Sequence, residues 1–367
     1  MRLRTIKVDP LTDSNRHSAA DLDYLTVRLH ARRSRMAEGG RLDDLCQIQN
    51  LPDFFRAIFP ESELKEVSDF QRLLVHELIG ELSGFSQHMS GPGADLVDWT
   101  LIRFQVENMK VLIRGYLKQT PMEEMYEHLV SLPKGLAFDN QKMATARTLD
   151  DLVRLFPRGG LLQESMKKAV RVYSDHSQPF FFEAMLDRAY FQGLLARMER
   201  LAREDLEAIR PVVHQEVDIF HIMLAARGRF NYNLPPEMLR PLHVAGTRIP
   251  LSLFATILDD PDLLTSAGRV MQRVIDGVPL EKGSSDKPMV NNASVLDGLA
   301  WKRLFRLANQ AFRQSHIGLG AVIGYAVLRR IEVANLITIS EGIRGGFSAG
   351  SIRERLTPRA DVEGAYV

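Results

Sequence analysis

The chain has 367 residues, 45% of them hydrophobic and 25% charged, with a net charge of +1. That length exceeds a usual single core and predicts more than one domain. The charge balance supplies no overall field for nucleic acid or an anionic membrane, and one cysteine, Cys46, excludes an internal disulfide framework.

Taken in chain order, almost every periodic stretch has helical spacing. Residues 1–21 are polar, with no apolar signal core. Residues 21–36 predict an Arg-rich helix with Leu25, Leu29 and Met36 on one side. Residues 68–89 predict a long amphipathic helix ending at Gly91-Pro92-Gly93, and 95–115 the next one. Helices are predicted over 121–132, 148–156, 161–173 and, as one long element, 180–208. Of these, 121–132 begins at a proline, which suits a first helical position, and 211–227 is a further helical stretch. A proline-rich loop, 235–250, precedes helices over 251–258 and 263–275. Residues 281–292 are polar and rich in Gly, Ser and Asn, and read as an exposed loop. Helices over 299–314, 320–340 and 350–356 complete the chain. No strand shows convincing alternation, so the fold class is all-α. The uncharged run 317–328 has twelve residues, too few to span a bilayer, and its glycines suit close helix packing.

One segment type occurs three times. Aligned on Asn108, His221 and Asn335, the copies lie 113 and 114 residues apart. A polar residue (Gln105, Asp218, Glu332) stands three positions before, an apolar one (Met109, Ile222, Leu336) follows, and a glycine (Gly115, Gly228, Gly342) closes each copy seven positions on. Such long-period similarity signals repeated units. Each copy reads as the last turns of an amphipathic helix, with the polar pair on one face. The glycine is expected just past the helix end in the left-handed conformation. Arg114 and Arg227 fall in the last turn, where cations suit the helix dipole. Glu341 breaks that pattern, with Arg344 close enough to compensate. Domain boundaries follow the repeat: a polar segment 1–20, helical units at 21–150, 151–260 and 261–357, and a polar tail 358–367.

Motifs that carry chemistry are missing. There is no phosphate loop ending in Gly-Lys-Ser or Gly-Lys-Thr, no Gly-x-Gly-x-x-Gly after a strand and no Gly-x-Ser-x-Gly elbow. The histidines do not fall at ligand spacings; His214, Asp218 and His221 are one turn apart, but a solvated or hydrogen-bonded helix face explains them better than a metal. No catalytic residue, cofactor or metal is expected. Arg28, Arg32 and Arg35 share a helical face, either as a site for phosphate or an acidic partner or as a solvated face. Asp218, His221, Glu332 and Asn335 either line a central channel or satisfy buried helix ends. The aromatics Phe180, Phe181, Phe182, Tyr190 and Phe191 read as core.

The run Leu186-Asp187-Arg188-Ala189-Tyr190-Phe191 resembles the Leu-Asp-Arg-x-Tyr-Phe segment of the V-type ATPase C-subunit family, whose eukaryotic members are called the d subunit. Residues 216–228 resemble that family's second Asp-x-x-Asn-Leu helix, with His221 where asparagine is usual. Residues 316–346 resemble its third such helix, 348–356 its terminal helix, and Tyr24 with Arg28 its opening Tyr-x-x-x-Arg helix. Gln105 stands where the family has an acid and Glu341 where it has a base. The resemblance spans 21–356. It implies a pseudo-threefold funnel of three similar helical domains. It also implies a non-catalytic central-stalk component on the cytoplasmic face of the membrane, peripheral and not inserted in it. Its partners would be the proteolipid ring and the central shaft subunits, with no nucleic acid. Arg28, Arg32, Arg35, Asn108, Arg114, Asp218, His221, Arg227, Glu332 and Asn335 are then candidates for interfaces or a pore lining. The alternative is an α-helical interaction scaffold with no motor role.

Overall fold

A computed structural model describes residues 19–357, apart from 135, 138, 144, 147, 156–159, 177, 264–265, 269, 271–292 and 316–317. The described residues form helices and no strand, as the periodicity predicts. In chain order the helices are α1 Ala19–Arg33, α2 Gly40–Cys46, α3 Leu51–Ile58, α4 Val67–Ser86, α5 Gly91–Leu117, α6 Met122–Glu127, α7 Asn140–Met143 and α8 Leu149–Leu155. They continue as α9 Leu161–His176, α10 Phe180–Met198, α11 Arg203–Ala226, α12 Pro236–Leu239, α13 Leu251–Asp259, α14 Ala293–Gln314, α15 Leu319–Arg344 and α16 Ala349–Arg353. The predicted loop 281–292 and most of the predicted helix 263–275 lie outside the described residues.

Several boundaries differ from the sequence reading, each for a local reason. Gly91-Pro92-Gly93 begins α5 rather than ending α4, because a proline in a first turn has no hydrogen bond to lose there. The predicted helix 180–208 breaks at 199–202, after which α11 starts at Arg203 and carries Pro211 inside it. The short helices α2 and α3 have too few turns to show a period; Asn50 caps α3, its side chain accepting from the Asp53 amide at 2.9 Å.

The chain divides into two compact units. Among the described residues, one holds those within 98–201 and 213–300; the other holds those within 15–97, 202–212 and 301–367. In the first, α10 is buried nearly all round, with Phe182, Leu186 and Ala189 sealed from solvent. Trp99 stacks on Tyr190 (6.4 Å, 8°) and donates its indole N–H to the Tyr190 carbonyl at 2.9 Å. Phe191 meets Phe220 at 5.1 Å. The second unit is built around α15 and α4. Phe70 packs between Phe54 (5.3 Å) and Phe55 (4.7 Å), while Phe85 meets Tyr325 at 5.7 Å. Fully burying one such ring contributes about 1.5–3 kcal/mol.

Close approach explains the glycines of the apolar run. A Cβ on Gly324 would lie 2.6 Å from the Ala308 carbonyl oxygen and 2.8 Å from the Phe312 nitrogen, both backbone atoms of α14. A helix backbone cannot step aside as a side chain can. Among the described residues no helix is long and apolar enough to cross a membrane.

Replacing Gly324 with alanine is therefore expected to cost about 1–3 kcal/mol in urea denaturation. Gly80, exposed in α4 with nothing near its missing Cβ, is the control. There alanine should stabilise by roughly 0.5–1 kcal/mol through helix propensity alone. Equal destabilisation at both positions would refute the packing account.

Candidate functional site

The three aligned positions do the same physical job. In the first copy, the Asn108 amide donates to the Val130 carbonyl at 2.8 Å, and the Val130 N–H donates back to Asn108 Oδ1 at 2.8 Å. In the third, Asn335 donates to the Thr357 carbonyl at 2.7 Å and accepts from the Thr357 N–H at 2.9 Å. One asparagine thus satisfies both backbone groups of one residue 22 positions downstream. In the second copy His221 takes the place, and its Nε2 accepts from the Val244 N–H at 3.0 Å, 23 positions on.

The glycines explain what the clip holds. After each one the chain turns back and lays a short helix on it. A Cβ on Gly115 would strike Met125 of α6; on Gly228, Leu239 of α12; on Gly342, Ile352 of α16. The turns match too: Thr120 N–H bonds the Gly115 carbonyl (2.9 Å), Leu234 the Gly228 carbonyl (2.8 Å), and Phe347 the Gly342 carbonyl (2.9 Å). Gln119, Asn233 and Gly346 carry the left-handed residue of the turn, at φ 56°, 49° and 67°. The glycines themselves do not, which corrects the expectation from sequence. Helices α5 and α15 run two residues past Gly115 and Gly342, and the role of the glycine is contact, not handedness. The second copy has one extra residue. It is absorbed where Arg227–Asn231 winds as a π-turn, the usual way to insert one residue in a helix.

The polar residue three positions earlier secures a second segment, downstream in the first two copies and around Ala37 in the third. Gln105 donates to the Leu136 carbonyl at 3.0 Å. Asp218 pairs with Arg248 at 2.8 Å, and the neighbouring Ile249 N–H donates to Thr247 Oγ1 at 3.3 Å. Arg248 also reaches Gln215 Oε1 at 2.7 Å. Glu332 pairs with Arg329 at 2.6 Å and accepts the Ala37 N–H at 2.5 Å. Burial raises the Asp218 and Glu332 carboxyls above their ordinary range, and the arginines oppose that shift. Buried charge of this kind is tolerated only when paired.

The His221 ring stacks on His243 (4.5 Å, 9°) and meets Phe254 at 5.4 Å. Burial, with His243 beside it, holds its pKa down at about 3. Only a neutral ring offers Nε2 as an acceptor, so the Val244 bond assigns the proton to Nδ1.

The remaining candidates are dispersed. Arg32 pairs with Glu81 at 2.7 Å and lies over Phe85, so it is an internal tie of the second unit. Arg28 lies over the Tyr24 ring at 5.4 Å, and Arg35 bonds the Ala31 carbonyl of its own helix at 3.1 Å. Arg114 pairs with Glu183 at 3.3 Å on the surface, while Arg227 is exposed. Arg344 bonds Glu341 at 2.8 Å, the compensation its spacing suggests. Residues not singled out as candidates do much of the tying. Lys110 pairs with Asp187 (2.6 Å) and Glu107 (3.0 Å), and Arg188 donates to the His243 carbonyl at 3.2 Å. Arg329 joins Glu332 to Glu81 (3.4 Å), which Tyr325 also bonds (3.0 Å). Val130, Val244 and Thr357 could have been found from the 22- and 23-residue offsets, but no side-chain chemistry marks them. Among the described residues no group of three or more His, Cys, Asp or Glu is arranged to hold a metal.

Comparison with known proteins follows the same span. The family model described as ATP synthase (C/AC39) subunit matches residues 25–355. The C subunit of the A-type ATP synthase of Methanosphaera stadtmanae is 22% identical over 344 residues, covering 91% of this chain and 87% of that protein. The corresponding C subunit of Methanothermobacter thermautotrophicus is 20% identical, with the same coverage of 91% and 87%. That of Methanocaldococcus jannaschii is 22% identical, covering 85% of this chain and 78% of its own length.

Two measurements test the clip. Asn335→Asp keeps the acceptor and loses the donor to the Thr357 carbonyl, so urea denaturation should show a loss of about 1–3 kcal/mol; a loss below about 0.5 kcal/mol would mean the bond stabilises little. His221 tests the second copy by pH. Its folded pKa lies below the ordinary 6.5, so its contribution is complete above 6.5 and falls as pH drops toward about 3. Wild-type stability should decline by up to roughly 1.4 kcal/mol for each pH unit below 6.5 from this group. His221→Asn should remove that slope between pH 6.5 and 5; an unchanged slope assigns the titration elsewhere.

Proposed function

This chain belongs to the ATP synthase (C/AC39) subunit family, and on that premise we propose that it is the central-stalk component joining the shaft of a rotary ATPase to the membrane proteolipid ring. The observation that carries the reading is the family match over residues 25–355. In this role the protein passes torque between two partners, for ion transport driven by ATP or ATP formation driven by ions, and performs no chemistry itself. It sits on the cytoplasmic face, peripheral to the bilayer. The buried, internally paired polar groups support a stiff body: Asn108, Asp218, His221, Glu332 and Asn335 are each occupied by the chain's own backbone or side chains. Division into helical units at 21–150, 151–260 and 261–357, on the pseudo-threefold plan of the family resemblance, belongs to the same proposal. Its support is the threefold recurrence of clip, glycine contact and turn. Of the candidate residues, the exposed Arg227 and the partly exposed Arg28, on surface not consumed by internal ion pairs, are the ones we assign to contacts with partners.

The assignment is tested on native membranes. Washing without detergent, at changed ionic strength, should release the chain alone or with shaft subunits, because polar contacts between proteins are screened and bilayer insertion is not. Affinity isolation of the tagged chain should bring down proteolipid and catalytic subunits. Release only by detergent from membranes stripped of the ring, or isolation with no rotary component, would overturn the proposal.

A further inference from the structure

The second and third copies hold their downstream segments alike, but the third takes its segment from the start of the chain. In the second copy, Asp218 holds the Arg248 side chain at 2.8 Å, and three residues later α13 begins at Leu251. In the third copy, Glu332 accepts the Ala37 N–H, and three residues later α2 begins at Gly40. The acceptors are equivalent repeat positions, and each donor immediately precedes a short helix.

Two further observations place residues 36–46 in that role. The short helix laid on the repeat glycine is tied to the next helix by an arginine–aspartate pair in both copies. Arg240, at the end of α12, pairs with Asp259 of α13 at 2.5 Å; Arg353 of α16 pairs with Asp43 of α2 at 3.1 Å and donates to the Asp43 carbonyl at 3.2 Å. The sequence of α2 also repeats downstream of the first copy: Leu42-Asp43-Asp44-Leu45 recurs as Leu149-Asp150-Asp151-Leu152 in α8. Both tetrads bury their second leucine, Leu45 and Leu152.

We propose that residues 36–46 complete the third repeat from the opposite end of the sequence, and that Glu332 is the latch of this joint. In the second copy the clipped Val244 and the held Arg248 are four residues apart on one continuous stretch of chain. In the third, Thr357 and Ala37 share no such connection, so the joint is held by non-covalent bonds alone. Arg329 positions the latch, since it bonds Glu332 at 2.6 Å and reaches Glu81 at 3.4 Å. Arg33 adds a bond to Asn309 at 2.8 Å. The buried Leu42, Leu45 and Cys46 are the apolar face that the joint covers.

Hydrogen exchange on the full-length chain tests this, because it reads local opening at single amides. In the wild type the Ala37 amide should be protected well above the level of an unstructured amide. Glu332→Gln should speed its exchange at least tenfold and leave the Val244 amide, which His221 bonds in the second copy, unchanged; Asp218→Asn should leave Ala37 unchanged. The idea is overturned if Glu332→Gln leaves Ala37 unchanged, or if it speeds Ala37 and Val244 alike, which is general loosening. Should neither variant fold, the wild type alone decides: an Ala37 amide exchanging as fast as an unstructured one rules out a latch.

Discussion

Everything that repeats among the described residues depends on one bond type, a buried side chain that satisfies the backbone of a non-helical residue about 22 positions downstream. An all-helical body offers an extended segment no neighbouring strand to pair with. Its backbone N–H and C=O still need partners once buried, and leaving one unmet costs more than a typical hydrogen bond contributes. A carboxamide is the one side chain that offers a donor and an acceptor together in a plane. Asn108 and Asn335 use both, as a strand neighbour would. With the segment fixed there, the short helix before it has one place to lie, over a glycine whose missing side chain leaves room for Met125, Leu239 or Ile352.

The second copy shows which parts of that device are essential. Histidine supplies the acceptor only, so the second bond to the downstream residue is lost. The ring instead gains stacking on His243 and contact with Phe254. The extra residue in its turn is taken up as a π-turn, and the contact of Gly228 with Leu239 survives. What all three copies keep is one bond to the downstream N–H, the close contact at the glycine and a left-handed turn residue. These are the geometric requirements; the donor half of the amide and the length of the turn are adjustable.

The sequence made the class, the repeat and the aligned positions legible, because helical period and a recurrent Asn/His with a glycine seven residues on are patterns in residue type. It pointed to the wrong residue for the left-handed turn. Glycine is the usual left-handed residue, but the turn puts Gln119 and Asn233 there, at a cost that local statistics argue against. The short helices α2 and α3 were invisible for lack of turns. Arg248, Lys110 and Arg329 were invisible as ties because a charge near a helix end reads as solvated until its partner is known. In the segment Leu186–Phe191, Asp187 and Arg188 are marked in the sequence by resemblance alone, while Tyr190 and Phe191 also read as core. Its physics comes with the structure: Asp187 pairs with Lys110, Arg188 caps the His243 carbonyl, and Tyr190 stacks on Trp99.

The buried ions carry a further constraint. A hydrophobic replacement of equal volume often stabilises as well as a buried ion pair, so such pairs are weak evidence of stability as such. Here the carboxylates recur at equivalent places while their partners differ: Asp218 pairs with Arg248 on the downstream segment, and Glu332 pairs with Arg329 on its own helix. An apolar contact would tolerate a slip of one residue between helix and downstream segment. A buried carboxylate does not, because the slipped state would leave a charge without its partner in the core. The Asp218–Arg248 pair therefore acts on register more than on depth of stability. Fixed register is also what the torque-passing role proposed above would require of the body.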